Sequence, residues 1–323
     1  MAILVSGGAG YIGSCCARML SDAGYDVIVV DNLSKGHREA VGNLKLYVGN
    51  IGDADFMHSV LSQNRIEGVM HFAAFSLVGE SMKEPLKYYE NNVGESMRFF
   101  GSLIRHDITN LVFSSTAATY GMAETMPITE ETPTNPINTY GETKLSIEKM
   151  LKWFKVAYGF NYTVLRYFNV AGAHKSGEIG EAHSPETHLI PLVLQVAAGL
   201  RDQLKIFGND YPTPDGTNIR DYIHVMDLID AHRLAYERMR STGEGGTFNL
   251  GSGGGYSNLE ILETARRITG KPIPAAFEER RAGDPPVLIA SSELAEKTLG
   301  WKRQNGIEEI IGDAWRWHSQ PKF

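Results

Sequence analysis

Tyr140 and Lys144 are the residues whose types and spacing most directly suggest chemistry. They lie four residues apart in a stretch where Ile147, Leu151 and Phe154 recur with helical spacing, so we expect both on one helix face. A phenol with its ordinary pKa of about 10 is a poor base at neutral pH. Because a neighbouring ammonium stabilises the phenolate and lowers that pKa, the pair is suited to accept a proton from a hydroxyl group.

Three hydroxyl side chains, Ser114, Ser115 and Thr116, follow the strand-like run 111–113. Ligands of open α/β sheets bind at the carboxyl ends of the strands, so a hydroxyl here could bridge a substrate oxygen and Tyr140. The spacing leaves open which of the three does so.

A glycine-rich segment follows the first strand-like run and precedes a helical stretch that starts at Tyr11. The spacing of Gly7, Gly10 and Gly13 lets a pyrophosphate approach the amide groups at a helix N-terminus, because glycine has no Cβ. Asp31 ends the next strand-like run, 18 residues after Gly13, where it can accept hydrogen bonds from ribose hydroxyls. Since a carboxylate there disfavours a 2′-phosphate, the segment predicts NAD rather than NADP.

Short apolar runs alternate with amphipathic stretches over the first two thirds of the chain. This alternation is typical of βαβ units whose parallel sheet is buried on both faces. We therefore expect an α/β fold, a Rossmann-type doubly wound parallel sheet with a smaller mixed α/β C-terminal substrate domain. The NAD-binding domain is predicted at 1–173, with later returns of the chain at about 218–250, and 174–323 should mainly bind substrate. Predicted strands lie at 3–5, 27–30, 45–48, 69–72, 111–113, 163–165 and 247–250, and predicted helices at 11–23, 138–158, 189–200, 225–240 and 257–269.

The composition excludes several classes of function. The 323 residues include 31 Lys and Arg against 38 Asp and Glu, a formal charge of −7, which disfavours nucleic-acid binding by phosphate neutralisation. No window of about 18 apolar residues occurs, so no membrane span is expected. The adjacent Cys15 and Cys16 cannot form a disulfide framework, and we expect a cytoplasmic location.

Two further groups of residues could suggest a metal site and a phosphate site, and we expect neither. His174, His183 and His188 have no cysteine partner and no paired short spacing, so no metal is expected. The glycine cluster 251–255 has no lysine for a phosphate and is predicted to be a flexible turn.

Several longer motifs carry a family resemblance over almost the whole chain. They lie at 7–14, 31–33, 78–81, 88–92, 113–117 and 166–169, at Tyr140 with Lys144, and at 206–211, 220–225 and 280–284. The chain resembles the extended short-chain dehydrogenase/reductase superfamily and, within it, the UDP-glucose 4-epimerase family. The last three motifs are the most specific, because unrelated NAD enzymes do not carry them.

The resemblance implies an isomerase of galactose metabolism. It would interconvert UDP-glucose and UDP-galactose through a 4-keto intermediate, with NAD as its cofactor. It would act as a homodimer in which helices 138–158 and 86–105 of each subunit pair. Whether N-acetylated UDP-sugars also react is left open by Leu288, where relatives carry a large Tyr or a small Cys or Ser.

The resemblance also implies site residues. The catalytic residues would be Tyr140, Lys144 and Thr116. NAD would contact Gly7, Gly10, Tyr11, Ile12, Gly13, Asp31, Asn32, Asn50, Ile51, Phe72, Ala73, Ala74, Ser76, Asn92, Ser114, Tyr140, Lys144 and Tyr167. The UDP-hexose would contact Thr116, Phe168, Asn169, His188, Leu189, Lys205, Ile206, Phe207, Arg220, Tyr222, Arg281, Asp284 and Leu288.

Two predicted NAD contacts depart from the pattern of the relatives. Many relatives carry Asp at the position of Asn50, and some carry Lys at the position of Ser76.

Rival activities share this fold. Nucleotide-sugar 4,6-dehydratases need an acidic pair after the hydroxyl, where this chain has Ala117 and Ala118. A UDP-glucuronate epimerase or decarboxylase stays open as an alternative. So does a catalytically idle NAD-sensing regulator, which the intact Thr116, Tyr140 and Lys144 disfavour.

Overall fold

A computed structural model describes residues 2–281 and 283–323. The strands are β1 (Ala2–Ser6), β2 (Asp26–Asp31), β3 (Lys45–Val48), β4 (Ile66–His71), β5 (Asn110–Ser114), β6 (Asn161–Tyr167), β7 (Asn169–Ala171), β8 (Leu204–Phe207), β9 (Ile219–Arg220), β10 (Tyr222–His224), β11 (Gly246–Leu250), β12 (Tyr256–Ser257), β13 (Ala275–Glu278) and β14 (Val287–Leu288). The helices are α1 (Tyr11–Asp22), α2 (Arg38–Val41), α3 (Ala54–Gln63), α4 (Val78–Ser81), α5 (Pro85–Tyr88), α6 (Ser96–Arg105), α7 (Thr139–Tyr158), α8 (Leu189–Ala197), α9 (Val225–Thr242), α10 (Asn258–Thr269), α11 (Glu293–Leu299) and α12 (Ile307–His318).

Seven parallel strands form the central sheet, in the order β11-β6-β5-β4-β1-β2-β3. The strand order reverses between β1 and β4, which is the arrangement of a doubly wound α/β fold. The predicted fold class is confirmed. Outside this sheet, the described residues form three small sheets, β7 with β10, β8 with β13, and β9 between β12 and β14.

The sheet is buried on both faces, which explains its runs of consecutive apolar residues. In β1, Ile3 and Val5 belong to the core shared with α1 and α9. Ala2 and Leu4 belong to the core on the other face, with α3, α6 and α7. Successive strand side chains point to opposite faces, so one short strand serves both cores.

The C-terminal part has its own core, formed mainly by α8, α10 and α12. The chain nevertheless returns to the central sheet, because β11 pairs with β6 and α9 packs against β5 and β6. The predicted domain boundary at residue 173 stays a prediction. Among the described residues, none of the helices combines the length and the hydropathy needed to cross a membrane.

The helix expected at 86–105 is interrupted. Between α5 and α6 the backbone forms a π-helical turn, Tyr89–Glu95. By contrast, α7 matches its prediction closely. The side chain of Asn138 accepts a hydrogen bond from the Gly141 amide at its start, and Gly159, with φ of 67°, ends it in the left-handed conformation.

A buried ion pair joins α7 to the sheet. Arg166 of β6 donates from Nε to Glu148 Oε1 at 3.0 Å and from Nη2 to Glu148 Oε2. Its Nη1 donates to the Tyr120 hydroxyl at 2.9 Å, and that hydroxyl donates to Asn249 Oδ1 of β11 at 2.7 Å. Ser115, just after β5, also donates to Glu148. The network therefore connects α7 with β5, β6 and β11.

Replacing Arg166→Leu should destabilise the protein by about 3–5 kcal/mol, because it leaves the Glu148 carboxylate buried without its cation. We expect the melting temperature to fall by roughly 10 °C, measured by thermal unfolding at pH 7. The control is Arg267→Leu, since Arg267 pairs with Glu308 on the surface and should cost little. Equal melting temperatures for the two variants would show that the buried pair does not hold the fold.

Candidate functional site

The main cleft lies at the carboxyl ends of the central strands, where the strand order reverses. It contains a cavity of about 830 Å³ whose wall includes the glycine loop, Asp31, Tyr140 and Leu288. Cofactors of doubly wound folds bind at this point because loops from the two halves of the sheet diverge there.

The glycine loop fits an elongated diphosphate-containing group. Gly7 has a φ of +73°, and a Cβ on it would lie 2.6 Å from the Ala73 amide nitrogen. A Cβ on Gly13 would overlap the carbonyl oxygen of Gly7. No side chain caps the first turn of α1, and Tyr11, Ile12 and Gly13 of that turn line the cavity. A helix N-terminus of this kind attracts an anion, and the residues present therefore fit the pyrophosphate of NAD.

Asp31 stands at the end of β2 and is largely buried. Its carboxylate accepts hydrogen bonds from the amides of Ala9, at 3.0 Å, and Leu33, at 2.8 Å. These bonds fix the carboxylate at the cavity wall, where its remaining lone pairs can accept from ribose hydroxyls.

Tyr140 is placed by the first turn of α7. Its amide donates to Ser81 Oγ at 3.1 Å, and the Asn138 cap fixes the turn around it. Tyr140, Lys144 and Thr116 all line the large cavity. The structure therefore brings together the three residues predicted to carry the chemistry.

Lys144 is buried beside Tyr140. Its ammonium nitrogen donates to the Ser114 carbonyl at 2.9 Å and lies 5.9 Å from the centre of the Tyr140 ring. Burial lowers the pKa of Lys144 to about 7, although the negative charge of Glu148 opposes this. Lys144 can therefore lose or gain a proton near neutral pH.

Burial opposes the effect of the ammonium at Tyr140. We expect the ammonium and the positive nicotinamide ring together to lower the pKa of Tyr140, whereas in the protein alone burial raises it to about 12 and the Thr116 hydroxyl offsets this only in part. The reason is that an apolar surrounding penalises the charged phenolate more than its neighbours stabilise it. Tyr140 is a neutral phenol until further positive charge enters the cavity.

A second cavity, of about 490 Å³, adjoins the first and shares Asn169, His188 and Asp284 with it. Three arginines line it: Arg201, Arg220 and Arg281. Arg281 lies 4.0 Å from the centre of the Phe207 ring, and Arg220 pairs with Asp284. A cationic pocket with an aromatic wall fits a phosphorylated nucleoside.

Most of the predicted residues line these cavities. Those at the large cavity are Gly7, Gly10, Tyr11, Ile12, Gly13, Asp31, Asn32, Asn50, Ile51, Phe72, Ala73, Ala74, Ser76, Thr116, Tyr140, Lys144, Tyr167, Phe168, Asn169, His188, Asp284 and Leu288. Those at the smaller cavity are Asn169, His188, Leu189, Lys205, Phe207, Arg220, Tyr222, Arg281 and Asp284.

Three predicted residues lie behind the cavity walls. Asn92 bonds both the amide and the carbonyl of Phe75. Ser114 offers its carbonyl to Lys144 and its hydroxyl to His232, and Ile206 belongs to the C-terminal core. Their geometry suits support of the wall more than direct contact.

Sequence reasoning missed several lining residues that lie in irregular segments. Lys35 and Met122 line the large cavity, and Arg201 and Asn218 line the smaller one. None follows a periodic pattern that could have identified it. His188 lines both cavities, as its predicted place beside the substrate requires, and its ring also faces two carboxylates. Burial lowers the pKa of His188, but hydrogen bonds to Glu181 and Glu186 outweigh this and raise it to about 10.

Comparison with known proteins gives consistent matches. The model of the NAD dependent epimerase/dehydratase family matches residues 3–251. A UDP-glucose 4-epimerase of Lacticaseibacillus casei is 54% identical over 98% of this chain and 97% of its own length. A UDP-glucose 4-epimerase from Brucella ovis, solved in complex with NAD, is 46% identical, with a TM-score of 0.96 over 98% of both chains. One from Bifidobacterium longum, solved with NAD+ and UDP, is 37% identical, with a TM-score of 0.93 over 99% of both chains.

Replacing Gly13→Ala should weaken NAD binding by at least about tenfold, because the added methyl group collides with the Gly7 carbonyl and distorts the loop. Titration of the cofactor-stripped protein with NAD measures this. The matched control is Gly312→Ala, since a Cβ on Gly312 meets no atom within 4 Å. Unchanged NAD affinity in Gly13→Ala would contradict the placement of the pyrophosphate.

Proposed function

The chain belongs to the NAD dependent epimerase/dehydratase family, and to the UDP-glucose 4-epimerases within it, and on that premise we propose that Tyr140, Thr116 and Lys144 carry out its proton transfer. The chain interconverts UDP-glucose and UDP-galactose with NAD as its cofactor. One observation carries the residue assignment. Tyr140 and Lys144 stand side by side in a cavity that also reaches the glycine loop.

Tyr140 acts as the base and then as the acid. Its phenolate accepts the proton of the sugar's C4 hydroxyl, and it returns that proton to the oxygen when the configuration at C4 has been inverted. When bound, NAD would supply the acceptor and donor for the C4 hydride and a positive charge that favours the phenolate. Tyr140 thus starts and ends the cycle in the same protonation state, and no net oxidation occurs.

Thr116 and Lys144 support this exchange. The Thr116 hydroxyl adjoins Tyr140 and can hydrogen-bond the same sugar oxygen, which aligns it with the phenol. The Lys144 ammonium stabilises the phenolate by its charge. Ala117 and Ala118 also line the cavity and offer no acidic group where a dehydratase needs one.

The smaller cavity is suited to hold the UDP group. Arg220 and Arg281 can make charge-assisted hydrogen bonds to a diphosphate, and the ring of Phe207 supports the Arg281 guanidinium. The hexose then extends into the larger cavity, beside Leu288 and Phe168. Firm binding at the UDP end leaves the 4-keto sugar free to turn and present its other face.

Replacing Tyr140→Phe should reduce kcat by about 10²–10⁴-fold with little change in KM, because the ring stays and only the proton-transferring hydroxyl is lost. Proton NMR of UDP-galactose with the purified protein follows the appearance of UDP-glucose. The control is Tyr25→Phe, which removes a hydroxyl bonded to Glu237. Near-normal turnover in Tyr140→Phe would contradict the assignment of Tyr140 as the base.

We also propose that two chains associate through α6 and α7. Trp153 and Val156 are 68% and 76% exposed and lie three residues apart on α7, and Met97 of the neighbouring α6 is also exposed. An exposed apolar surface of this kind is typical of a protein–protein interface. The cytoplasmic location expected from the cysteines stays a prediction.

The double replacement Trp153→Glu with Val156→Glu should convert a dimer of 35.6 kDa chains into monomers, because it buries two charges in the interface. Sedimentation equilibrium measures the mass. Leu200→Glu is the control, since Leu200 is equally exposed but lies after α8. A monomeric unmodified protein, or a dimeric double variant, would contradict this interface.

A further inference from the structure

Four side chains converge on one point in the loop 172–188, between β7 and α8. They are Glu181, His183, Glu186 and His188, and their ligand atoms all lie within 4.8 Å of one another. Both imidazoles turn Nδ1 inward. Glu181 Oε1 lies 2.9 Å from the Nδ1 of His183 and 2.9 Å from that of His188.

Hydrogen bonds account for only part of this arrangement. The Nδ1 of His188 lies 2.9 Å from Glu181 Oε1 and 2.8 Å from Glu186 Oε1, yet it carries at most one proton. Only one of the two contacts can be a linear hydrogen bond. A cation at the centre would instead accept a lone pair from each of the four groups.

Burial and charge favour the same conclusion. The side chains of Glu181 and Glu186 are only 5% and 4% exposed. Two buried carboxylates are costly unless their charge is compensated. Metal binding releases the imidazole protons, and one divalent cation then balances the two negative charges that remain.

The ligands are held in place by groups outside the cluster. Trp317 Nε1 donates to the Glu181 carbonyl at 3.0 Å, and the His37 ring bonds the Ala182 carbonyl at 3.0 Å. The amide of His188 donates to Glu186 Oε1 at 2.8 Å and orients that carboxylate. Such outer contacts are what orient the ligands in metal sites.

The geometry points to a binding site for one Zn²⁺, formed by Glu181, His183, Glu186 and His188. Zinc takes four nitrogen and oxygen ligands in a tetrahedron, whereas magnesium and calcium prefer oxygen alone. Four protein ligands fill its coordination, so the ion is structural. Because Glu181, His183 and His188 line the large cavity, the ion fixes that wall of the cleft. This revises our expectation of no metal.

The first experiment is elemental analysis of the full-length protein, purified without a histidine tag from zinc-supplemented cells. We expect about one zinc per chain. His183→Ala and Glu181→Gln should each retain less than about a tenth of it, because ligand loss costs metal affinity at least about tenfold. His174→Ala is the matched control, since His174 lies in the same loop but bonds Ser176, and it should keep its zinc.

A second measurement decides the matter if those variants fail to fold. The unmodified protein is dialysed against a chelator and titrated with Co²⁺, whose tetrahedral complexes absorb visible light strongly. One equivalent of such a complex, displaced by Zn²⁺, supports the site. A wild-type protein that takes up neither metal overturns it, as do folded His183→Ala and Glu181→Gln proteins that keep full zinc content. The four residues would then form a hydrogen-bonded cluster only.

Discussion

The pairing of Glu148 with Arg166 holds the helix that carries Tyr140 and Lys144 against the sheet. Both partners are almost fully buried, so each charge depends on the other for compensation. The two-point geometry of a guanidinium on a carboxylate also fixes the rotation of α7 about its axis. That rotation decides whether the phenol of Tyr140 faces the cavity. An ion pair outside the site therefore determines the geometry of the site.

The same helix also carries a destabilising element. Lys144, one turn before Glu148, is buried with a pKa of about 7. Its side chain binds more protons in the unfolded chain at neutral pH, so it favours unfolding there. An enzyme that needs a buried cation beside a phenol must offset this elsewhere, and the neighbouring ion pair is well placed to do so. The destabilising Lys144 and the stabilising Glu148 therefore lie within two turns of the same helix.

The sequence predicted the parts of the site that depend on local constraints. The spacing of Tyr140 and Lys144 follows from helical periodicity, and the glycine loop follows from close approaches that admit no Cβ. The π-helical turn at Tyr89–Glu95 escaped prediction, because one inserted residue hardly changes an apolar pattern.

The irregular loop 172–188 escaped prediction for a different reason. Its course is set by contacts with distant residues such as Trp317 and His37. No periodicity within the loop reveals that Glu181 and Glu186 meet two histidines. The effect of burial on the pKa of Tyr140 could likewise not be predicted from the sequence, since it depends on how completely the folded protein excludes water.

The position of β11 has a consequence for how the protein forms during synthesis. This strand pairs with β6, yet residues 168–245 lie between the two in the chain. Until the ribosome has released residue 250, β6 keeps an unpaired edge, and the face that α9 covers is open to other chains. Newly made chains are prone to associate at such edges. The nascent protein is therefore protected from aggregation at these surfaces only after α9 and β11 have been synthesised and have packed against the sheet.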